Sequence, residues 1–342
     1  MSSLPLLSDH KSPSLIGIAR LAADGESLRE GHDVEYFTLP SRSLLNRVIT
    51  RRDLPFEWAI NPYRGCEFAC KYCYARYTHE FMELRNGADF EQKIFVKQHA
   101  AQLLRQELRL VKSYESIAIG TATDPYQPAE RRYEVTRAIL EELSRHRGLS
   151  IGIVTKSNLI LRDAELLREI ASHNSLFVSL TITTLDTDLA RILEPRAPRP
   201  DLRMDAVRQL NLAGVSAGVN CAPILPAITD SRENLEMLVA AAANAKASGI
   251  FSNTLFLKPC SAAVFLPFLD EQFPHLAATY RKRYEGRAFL PAAYQKRISE
   301  LMSALKKKYG LQKRFKYKRY EEYAQGEAEP PREQLALFGP KD

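Results

Sequence analysis

Residues 61–74 read NPYRGCEFACKYCY and place Cys66, Cys70 and Cys73 on one short segment with the spacing C-x3-C-x2-C. Gly65 and the charged residues beside the cysteines are typical of a loop, and we call this segment the cysteine loop. Three thiolates on one short loop can surround a compact metal centre, and three ligands leave one metal position open. The pattern therefore predicts a reactive metal centre rather than three buried thiols without a ligand.

Zinc is the alternative to an iron–sulfur cluster at this loop. A zinc site needs a fourth ligand, and His79, six residues after Cys73, is the nearest candidate. Zinc ligands usually come as two pairs, such as C-x2-C with H-x3-H, and this sequence has no second pair. We therefore expect an iron–sulfur cluster here, with zinc as the competing hypothesis.

Apolar segments alternate with helical patterns on the carboxyl side of this loop. Six strands are predicted, at residues 57–61, 116–120, 149–155, 176–181, 215–220 and 250–257, and a helix or long connection follows each. Residues 75–112 are expected to be largely helical. This alternation predicts a parallel sheet of βαβ units, as a partial barrel or as a doubly wound sheet. In both architectures ligands bind at the carboxyl ends of the strands.

Composition divides the chain into a core and two extensions. We expect an N-terminal extension at residues 1–55, a core domain at 56–290, a helical and basic segment at 291–325 and a disordered tail at 326–342. The 342 residues are 45% hydrophobic and carry a formal net charge of +7. Five cysteines, three of them within eight positions, favour a reducing compartment over a disulfide framework. With no visible signal peptide or long apolar run, we expect a cytoplasmic protein without a membrane span.

Four segments resemble the radical S-adenosylmethionine (SAM) superfamily, and more closely its branch related to spore photoproduct lyase. They are residues 61–76, which contain the cysteine loop with Tyr72 before the last cysteine, and residues 121–130 (TATDPYQPAE), 194–203 (EPRAPRPDLR) and 222–230 (APILPAITD). The resemblance implies an α/β fold with a partial (β/α)6 TIM-type barrel between N- and C-terminal extensions. It also implies a [4Fe–4S] cluster on the three cysteines, with SAM bound to the fourth iron. Reduction of the cluster would cleave SAM to a 5′-deoxyadenosyl radical, which removes a hydrogen atom from the substrate.

The same resemblance implies candidate cofactor residues at the strand ends. Relatives bind the methionine amine of SAM after the second strand, where this chain has Thr123 and Asp124. A lysine and a serine that lie near the SAM carboxylate and ribose in the relatives correspond to Lys156 and Ser179. The structural alternatives are a turn at Asp124, a solvated Lys156 and a backbone hydrogen bond from Ser179.

Tyr72 and two arginines complete the set of candidates. Tyr72 belongs to the superfamily signature and is expected to lie against the cofactor. Arg196 and Arg203 could bind a phosphate or carboxylate through two hydrogen bonds each. Alternatively, these arginines form a surface salt-bridge network that contributes little free energy.

The hydrogen donor is a departure from the family pattern. The resemblance implies a hydrogen-donating cysteine near the end of the second strand, where this chain has Thr121. Cys221 and Cys260 are expected at the ends of the fifth and sixth strands, facing the same mouth. Each is a candidate hydrogen donor or substrate ligand, and the alternative is a buried apolar residue.

Two late segments suggest macromolecular partners. Residues 305–320 hold eight Lys or Arg and no acid, interleaved with aromatic rings, which predicts contact with DNA or merely a solubilising surface. Residues 334–338 read QLALF and resemble the peptide by which bacterial repair proteins bind the DNA polymerase sliding clamp. In that peptide Leu335, Leu337 and Phe338 would fill an apolar pocket, oriented by Gln334.

Together these patterns favour a radical SAM enzyme that acts on DNA in a repair-like reaction. Such an enzyme needs an electron donor, for example a flavodoxin or a ferredoxin. The alternatives are a radical SAM enzyme for a protein or small molecule, and a non-enzymatic, metal-containing nucleic-acid-binding protein. The reaction class is open between a lyase and a transferase.

Overall fold

The computed structural model describes residues 15–31, 34–49 and 54–312. Within them the strands are β1 (Ser27–Gly31), β2 (Val34–Leu39), β3 (Leu45–Arg47), β4 (Trp58–Ile60), β5 (Tyr63–Arg64), β6 (Lys93–Lys97), β7 (Ser116–Ile119), β8 (Ser150–Thr155), β9 (Ser175–Thr181), β10 (Ala217–Ile224) and β11 (Ile250–Thr254). The helices are α1 (Gly17–Ala23), α2 (Tyr77–Glu80), α3 (Asp89–Gln92), α4 (Ala100–Glu107), α5 (Glu130–Tyr133), α6 (Val135–Ser144), α7 (Ala164–His173), α8 (Thr187–Leu193), α9 (Pro200–Leu212), α10 (Arg232–Asn244), α11 (Pro259–Gln272), α12 (Pro274–Tyr284) and α13 (Ala292–Lys308).

The main sheet has seven strands in the order β11-β10-β9-β8-β7-β4-β3. Neighbouring strands pair in parallel throughout the series β4, β7, β8, β9, β10 and β11. The edge strand β3 pairs antiparallel with β4. The order follows the chain from β4 onwards, so each crossover adds a strand beside the previous one. This confirms the predicted α/β class with a parallel sheet, in which β3 and β11 are the two edges.

The expectation that residues 75–112 are largely helical is wrong at its centre. Lys93–Lys97 (KIFVK) forms β6, which pairs in parallel with β2 and antiparallel with β5. The run of β-branched and aromatic residues fits a strand that is buried on both faces. β6 therefore belongs to a second sheet, with the order β1-β2-β6-β5. The N-terminal segment supplies β1 and β2 to that sheet and β3 to the main sheet.

Side chains of the parallel strands alternate between two environments. On β9, Leu176, Val178 and Leu180 lie in the largest apolar core, together with residues of the surrounding helices. Ser179, between them, lies on the opposite face because successive side chains of a strand alternate. That opposite face, at the carboxyl ends of the strands, is where the cysteine loop lies.

Helices α11 and α12 follow β11 and were not predicted, whereas α13 lies within the segment at residues 291–325 that was expected to be helical and basic. In the described residues no helix combines the length and the apolar character that crossing a membrane requires. Residues 313–342, with most of the basic segment and the QLALF motif, lie outside the described part of the chain.

Candidate active site around the cysteine loop

The three cysteines of the loop are free thiols in a buried environment. Cys66 and Cys70 are 8% and 7% exposed, and Cys73 is partly buried. Burial raises the pKa of Cys66, and negative charge on Asp124, Cys70 and Cys73 raises it further. Burial also raises the pKa of Cys70, to about 12. The thiols therefore lie close together and need a bound cation to become thiolates, which fits a metal centre.

His79 does not complete a zinc site. Its Nε2 lies 3.0 Å from the carbonyl oxygen of Lys93, and its ring packs against Phe90 with 5.2 Å between centroids. Burial lowers the pKa of His79 to about 4. Among residues 15–31, 34–49 and 54–312, no three His, Cys, Asp or Glu side chains converge on one ion. An iron–sulfur cluster does not require such convergence, since each thiolate binds a different iron.

Strand β6 and the preceding turn fix the start of the loop. Gly65 has φ +81°, and a Cβ there would lie 2.7 Å from the carbonyl oxygen of Lys93 and 2.9 Å from that of Phe90. The Cys66 N–H donates to the Phe90 carbonyl oxygen at 2.9 Å. Only glycine allows this backbone approach, so the first cysteine is positioned by a strand that sequence reasoning missed.

Residues 121–130 hold the loop through polar side chains. Thr123 Oγ1 donates to the carbonyl oxygen of Gly65 at 2.5 Å, and Gln127 Nε2 donates to the same oxygen at 3.2 Å. Gln127 Oε1 accepts from the Glu67 N–H at 3.0 Å, and Glu67 Oε1 accepts from the Ala129 N–H at 2.7 Å. All of these groups are buried. The segment therefore positions the cysteine loop, and the hydroxyl of Thr123 takes part in that contact.

Replacing Gln127 with leucine is expected to lower the free energy of unfolding by about 1–3 kcal/mol, because it leaves the buried Glu67 N–H without an acceptor. The variant is also expected to hold less iron after reconstitution, since Glu67 directly follows Cys66. Urea unfolding of the metal-free protein and iron analysis measure the two effects. Gln102→Leu, at an exposed position of α4, is the control and should change stability by less than about 0.5 kcal/mol. Equal behaviour of the two variants would contradict this role for Gln127.

Asp124 joins the ends of β7 and β8. Its Oδ1 accepts from Thr155 Oγ1 at 2.6 Å and from the Tyr126 N–H at 2.9 Å. Its Oδ2 accepts from the Lys156 N–H at 2.7 Å. Burial raises the pKa of Asp124, and these donors oppose that rise. The carboxylate lies beside the cysteines and sets the direction in which Lys156 leaves β8.

A buried network of charges lies on the other side of the loop. Glu194 accepts a hydrogen bond from the hydroxyl of Tyr72, and its Oε2 lies 2.5 Å from Nη1 of Arg203. Lys156 Nζ lies 5.7 Å from the centroid of the Tyr72 ring. Burial lowers the pKa of Lys156, but the negative charges of Cys70 and Glu194 outweigh burial and raise it. Lys156 is therefore a partly buried cation beside the cysteine loop.

Arg203 differs from both of its predicted roles. Its side chain is 1% exposed, so it is neither a surface salt bridge nor free to bind a ligand. Nε donates to the carbonyl oxygen of Pro198 at 2.6 Å and Nη1 to that of Thr181 at 3.0 Å. Arg203 thus neutralises Glu194 and ties α9 to the end of β9.

The structure places Ser179 and Arg196 at different depths. Ser179 is 9% exposed and pairs with Val154, two residues before Lys156. Arg196 is exposed, and its N–H donates to the carbonyl oxygen of Phe68 at 3.4 Å. Asp124 and Lys156 therefore lie beside the loop and its Tyr72, Ser179 lies on the strand next to β8, and Arg196 contacts the loop from an exposed position.

The placement of the two late cysteines corrects the expectation that they face one mouth. Cys221 lies inside β10 with its side chain in the apolar core, and burial raises its pKa to about 12. Cys260 lies in the first turn of α11, because β11 already ends at Thr254. Its Sγ is 3.8 Å from Ser261 Oγ, which donates to the carbonyl oxygen of Cys73 at 2.9 Å. Only Cys260 borders the cysteine loop.

Arg76, two residues after the cysteine loop, contacts the loop in a way that sequence reasoning missed. It is 3% exposed, and its Nη2 donates to the carbonyl oxygen of Cys70 at 3.1 Å. Its Nη1 lies 2.5 Å from Glu91 Oε2 and donates to the carbonyl oxygen of Gly87 at 2.6 Å. The guanidinium opposes the rise that burial causes in the pKa of Cys73. The sequence signal that could have identified this residue was an arginine only three residues after the last cysteine of the loop.

Comparison with known proteins identifies relatives of most of the chain. The sequence model of a family described as the Radical SAM superfamily matches residues 60–253, from the cysteine loop into β11. An uncharacterised protein of Mycobacterium tuberculosis is 36% identical over 79% of this chain and 79% of its own length. An uncharacterised protein of Methanocaldococcus jannaschii is 28% identical over 74% of this chain and 87% of its own length.

Solved structures of spore photoproduct lyase share the fold. The enzyme complexed with dinucleoside spore photoproduct superposes with a TM-score of 0.62 at 15% identity, covering 88% of this chain and 85% of that chain. A mutant of the same enzyme with bound AdoMet superposes with a TM-score of 0.60 at 16% identity, covering 80% of this chain and 79% of that chain. At these identities the likeness shows the architecture.

Proposed function

Because this chain belongs to the radical SAM superfamily, we propose that it is a radical enzyme whose substrate is DNA. Members of the superfamily use a [4Fe–4S] cluster and SAM. The observation that carries the proposal is the cysteine loop, with two buried free thiols and one partly buried free thiol at the carboxyl ends of parallel strands. When bound and reduced, the cofactors supply a 5′-deoxyadenosyl radical that removes a hydrogen atom from the substrate.

The residues of this chain bind and orient the cofactors. Cys66, Cys70 and Cys73 would each bind one iron. Lys156 offers a partly buried ammonium that suits the carboxylate of SAM, and Ser179 offers a hydroxyl that suits the ribose. We retain Tyr72, Thr123, Asp124 and Arg196 as further candidates for cofactor binding. Of these, Thr123 would act by positioning the cysteine loop, and Asp124 by positioning the end of β8. The buried surroundings exclude water, which protects a radical from side reactions.

DNA is the substrate class that we favour. Spore photoproduct lyase, which has this fold, is solved with a dinucleoside spore photoproduct. In this chain α13 ends with Lys306, Lys307 and Lys308, where the basic segment begins. Cys260 is our remaining candidate for a hydrogen donor, since it borders the loop and is partly exposed. Thr121 takes the place of the hydrogen-donating cysteine of spore photoproduct lyases. We therefore expect that the last step, in which the substrate radical becomes product, differs from theirs.

The test is cleavage of SAM by the reconstituted, oxygen-free protein. We expect a brown preparation that converts SAM to 5′-deoxyadenosine when dithionite is added, with a faster rate in the presence of ultraviolet-damaged DNA. Product is measured by chromatography, with undamaged DNA and bovine albumin as controls. An intact cluster that yields no product would refute the radical chemistry. Equal rates with all additives would instead refute DNA as the substrate.

Two partners follow from the proposal. A flavodoxin or ferredoxin would supply the electron in the cell. The sliding clamp would bind the QLALF motif at residues 334–338, which lies outside the described residues and stays a prediction of the sequence. A clamp pull-down that is unchanged by Leu337→Ala with Phe338→Ala would remove this partner.

A further inference from the structure

Aromatic rings and one lysine form a continuous row on the outside of the cysteine loop. Phe81 and Tyr77 meet edge to face with 5.8 Å between ring centroids. Lys258 Nζ lies 3.7 Å from the centroid of Tyr77 and 6.0 Å from that of Phe256. Phe256 stacks on Phe289 at 4.5 Å. We call these five residues the aromatic row.

The ends of the row are exposed but held by the fold. The side chains of Phe81 and Phe289 are 55% and 43% exposed. Phe289 forms a backbone bridge with Phe256, and the Leu257 N–H donates to the carbonyl oxygen of Ala288 at 2.9 Å. Rings that are ordered before binding lose little conformational entropy when a partner covers them. A connected set of rings whose two ends are exposed is typical of a binding surface.

The row begins at the mouth of the candidate active site. Tyr77 follows Cys73 by four residues, and Phe256 and Lys258 follow the carboxyl end of β11. Tyr74, beside Cys73, is 42% exposed and lies 6.4 Å from Phe256 between ring centroids. The hydroxyl of Tyr74 donates to the carbonyl oxygen of Thr121, at the end of β7. The row therefore leads from the strand ends outward across the loop.

We propose that the aromatic row binds a locally unpaired nucleic-acid strand and guides it to the active site. Bases stack on the exposed faces of Phe81 and Phe289, and the ammonium of Lys258 contacts a phosphate. Base stacking on aromatic side chains tolerates any sequence, because every base has a flat face. A strand supplies both an apolar face for each ring and an anion for the central cation, which an apolar peptide or lipid does not. This proposal rests on DNA as the substrate and adds the surface that receives it.

The experiment measures binding of fluorescent single-stranded and duplex oligonucleotides to the holoenzyme by anisotropy, over a range of salt concentrations. Phe81→Ala and Phe289→Ala should each raise the Kd for single strands about 5- to 100-fold. Lys258→Gln should reduce the slope of log K against log salt by about 0.7. Single strands should bind more tightly than undamaged duplex.

Tyr114→Ala is the matched control. Tyr114 is 40% exposed and carries Lys112 Nζ at 5.6 Å from its centroid, so it reproduces an exposed ring with a cation. It precedes β7 and therefore lies at the opposite, amino end of the sheet. Its replacement should leave the Kd unchanged, and all variants should keep the melting temperature and the SAM cleavage rate without DNA.

Two outcomes overturn the proposal in distinguishable ways. If the wild type binds single strands and the row variants bind as tightly as Tyr114→Ala, the row is not the binding surface, while DNA stays the substrate class. If the wild type itself shows no salt-dependent binding, both the row and DNA as substrate are refuted, and SAM cleavage still reports the radical chemistry.

Discussion

Replacing Cys70 with alanine should abolish both the cluster and SAM cleavage. The change removes one of the three proposed ligands, and burial raises the pKa of the two thiols that stay. Without the full set of thiolates the cluster has no stable coordination, so iron should fall to the background level. Iron and sulfide analysis, visible absorbance and the 5′-deoxyadenosine assay measure these losses together. Product should drop below detection.

Cys260→Ala is the control, because it removes a thiol next to the loop without removing a proposed cluster ligand. Cys260 is partly exposed in α11 and is not part of the loop, so this variant should keep its iron. It should also produce 5′-deoxyadenosine at the wild-type rate when no DNA is present. Full iron content in Cys70→Ala would contradict the proposed ligand set. Zinc in place of iron in the wild-type protein would favour the competing zinc hypothesis.

Local patterns were enough to predict the parallel strands and the cysteine loop. The strands are short apolar runs, and the ligand spacing lies within eight residues, so neither depends on distant contacts. Strand β6 was missed because its pairing partners, β2 and β5, are separated from it in sequence. Pairing of this kind is set by tertiary contacts rather than by local propensity.

Side-chain roles were harder to predict than elements. The predicted fifth strand ended at residue 220, but β10 continues to Ile224, so Cys221 lies inside the strand. Because side chains alternate along a strand, that difference places the thiol in the core instead of at the mouth. Residues 194–203, rich in Arg and Pro, resemble a solvated surface, and nothing local shows that Arg203 is buried. Its partner Glu194 becomes visible only in the folded chain.

That buried pair carries the second large expected effect. Arg203→Met should lower the free energy of unfolding by about 3–5 kcal/mol, because it leaves the carboxylate of Glu194 buried without its counter-charge. The charge of the Glu194 carboxylate is offset by the ion pair between its Oε2 and Arg203 and by Lys156. Urea unfolding of the metal-free protein measures the change.

Arg208→Met on the same helix, α9, is the matched control. Arg208 pairs with Asp205 at 2.6 Å, but both side chains are nearly half exposed. An exposed pair contributes about 0–1 kcal/mol, so this variant should unfold almost like the wild type. Equal losses in the two arginine variants would contradict a special role for the buried pair.

The pH dependence tests the cause of the loss in Arg203→Met. Burial alone would raise the pKa of Glu194, but Arg203 and Lys156 bring it below its ordinary value of 4.5. A carboxyl whose pKa is lowered by folding stabilises the native state above the unfolded pKa, and this contribution is lost as the pH falls through the folded pKa.

In the Arg203→Met variant the pKa of Glu194 should rise, since burial is no longer opposed by Arg203, and the protonated carboxyl needs no counter-charge. The gap between wild type and variant should therefore be largest at pH values above the raised pKa of the variant, and it should narrow as the pH falls through that pKa. Glu194→Gln with Arg203→Met should recover part of the loss at pH 7, because the amide removes the buried charge. A gap that does not change with pH would instead assign the loss to the packing of the arginine side chain.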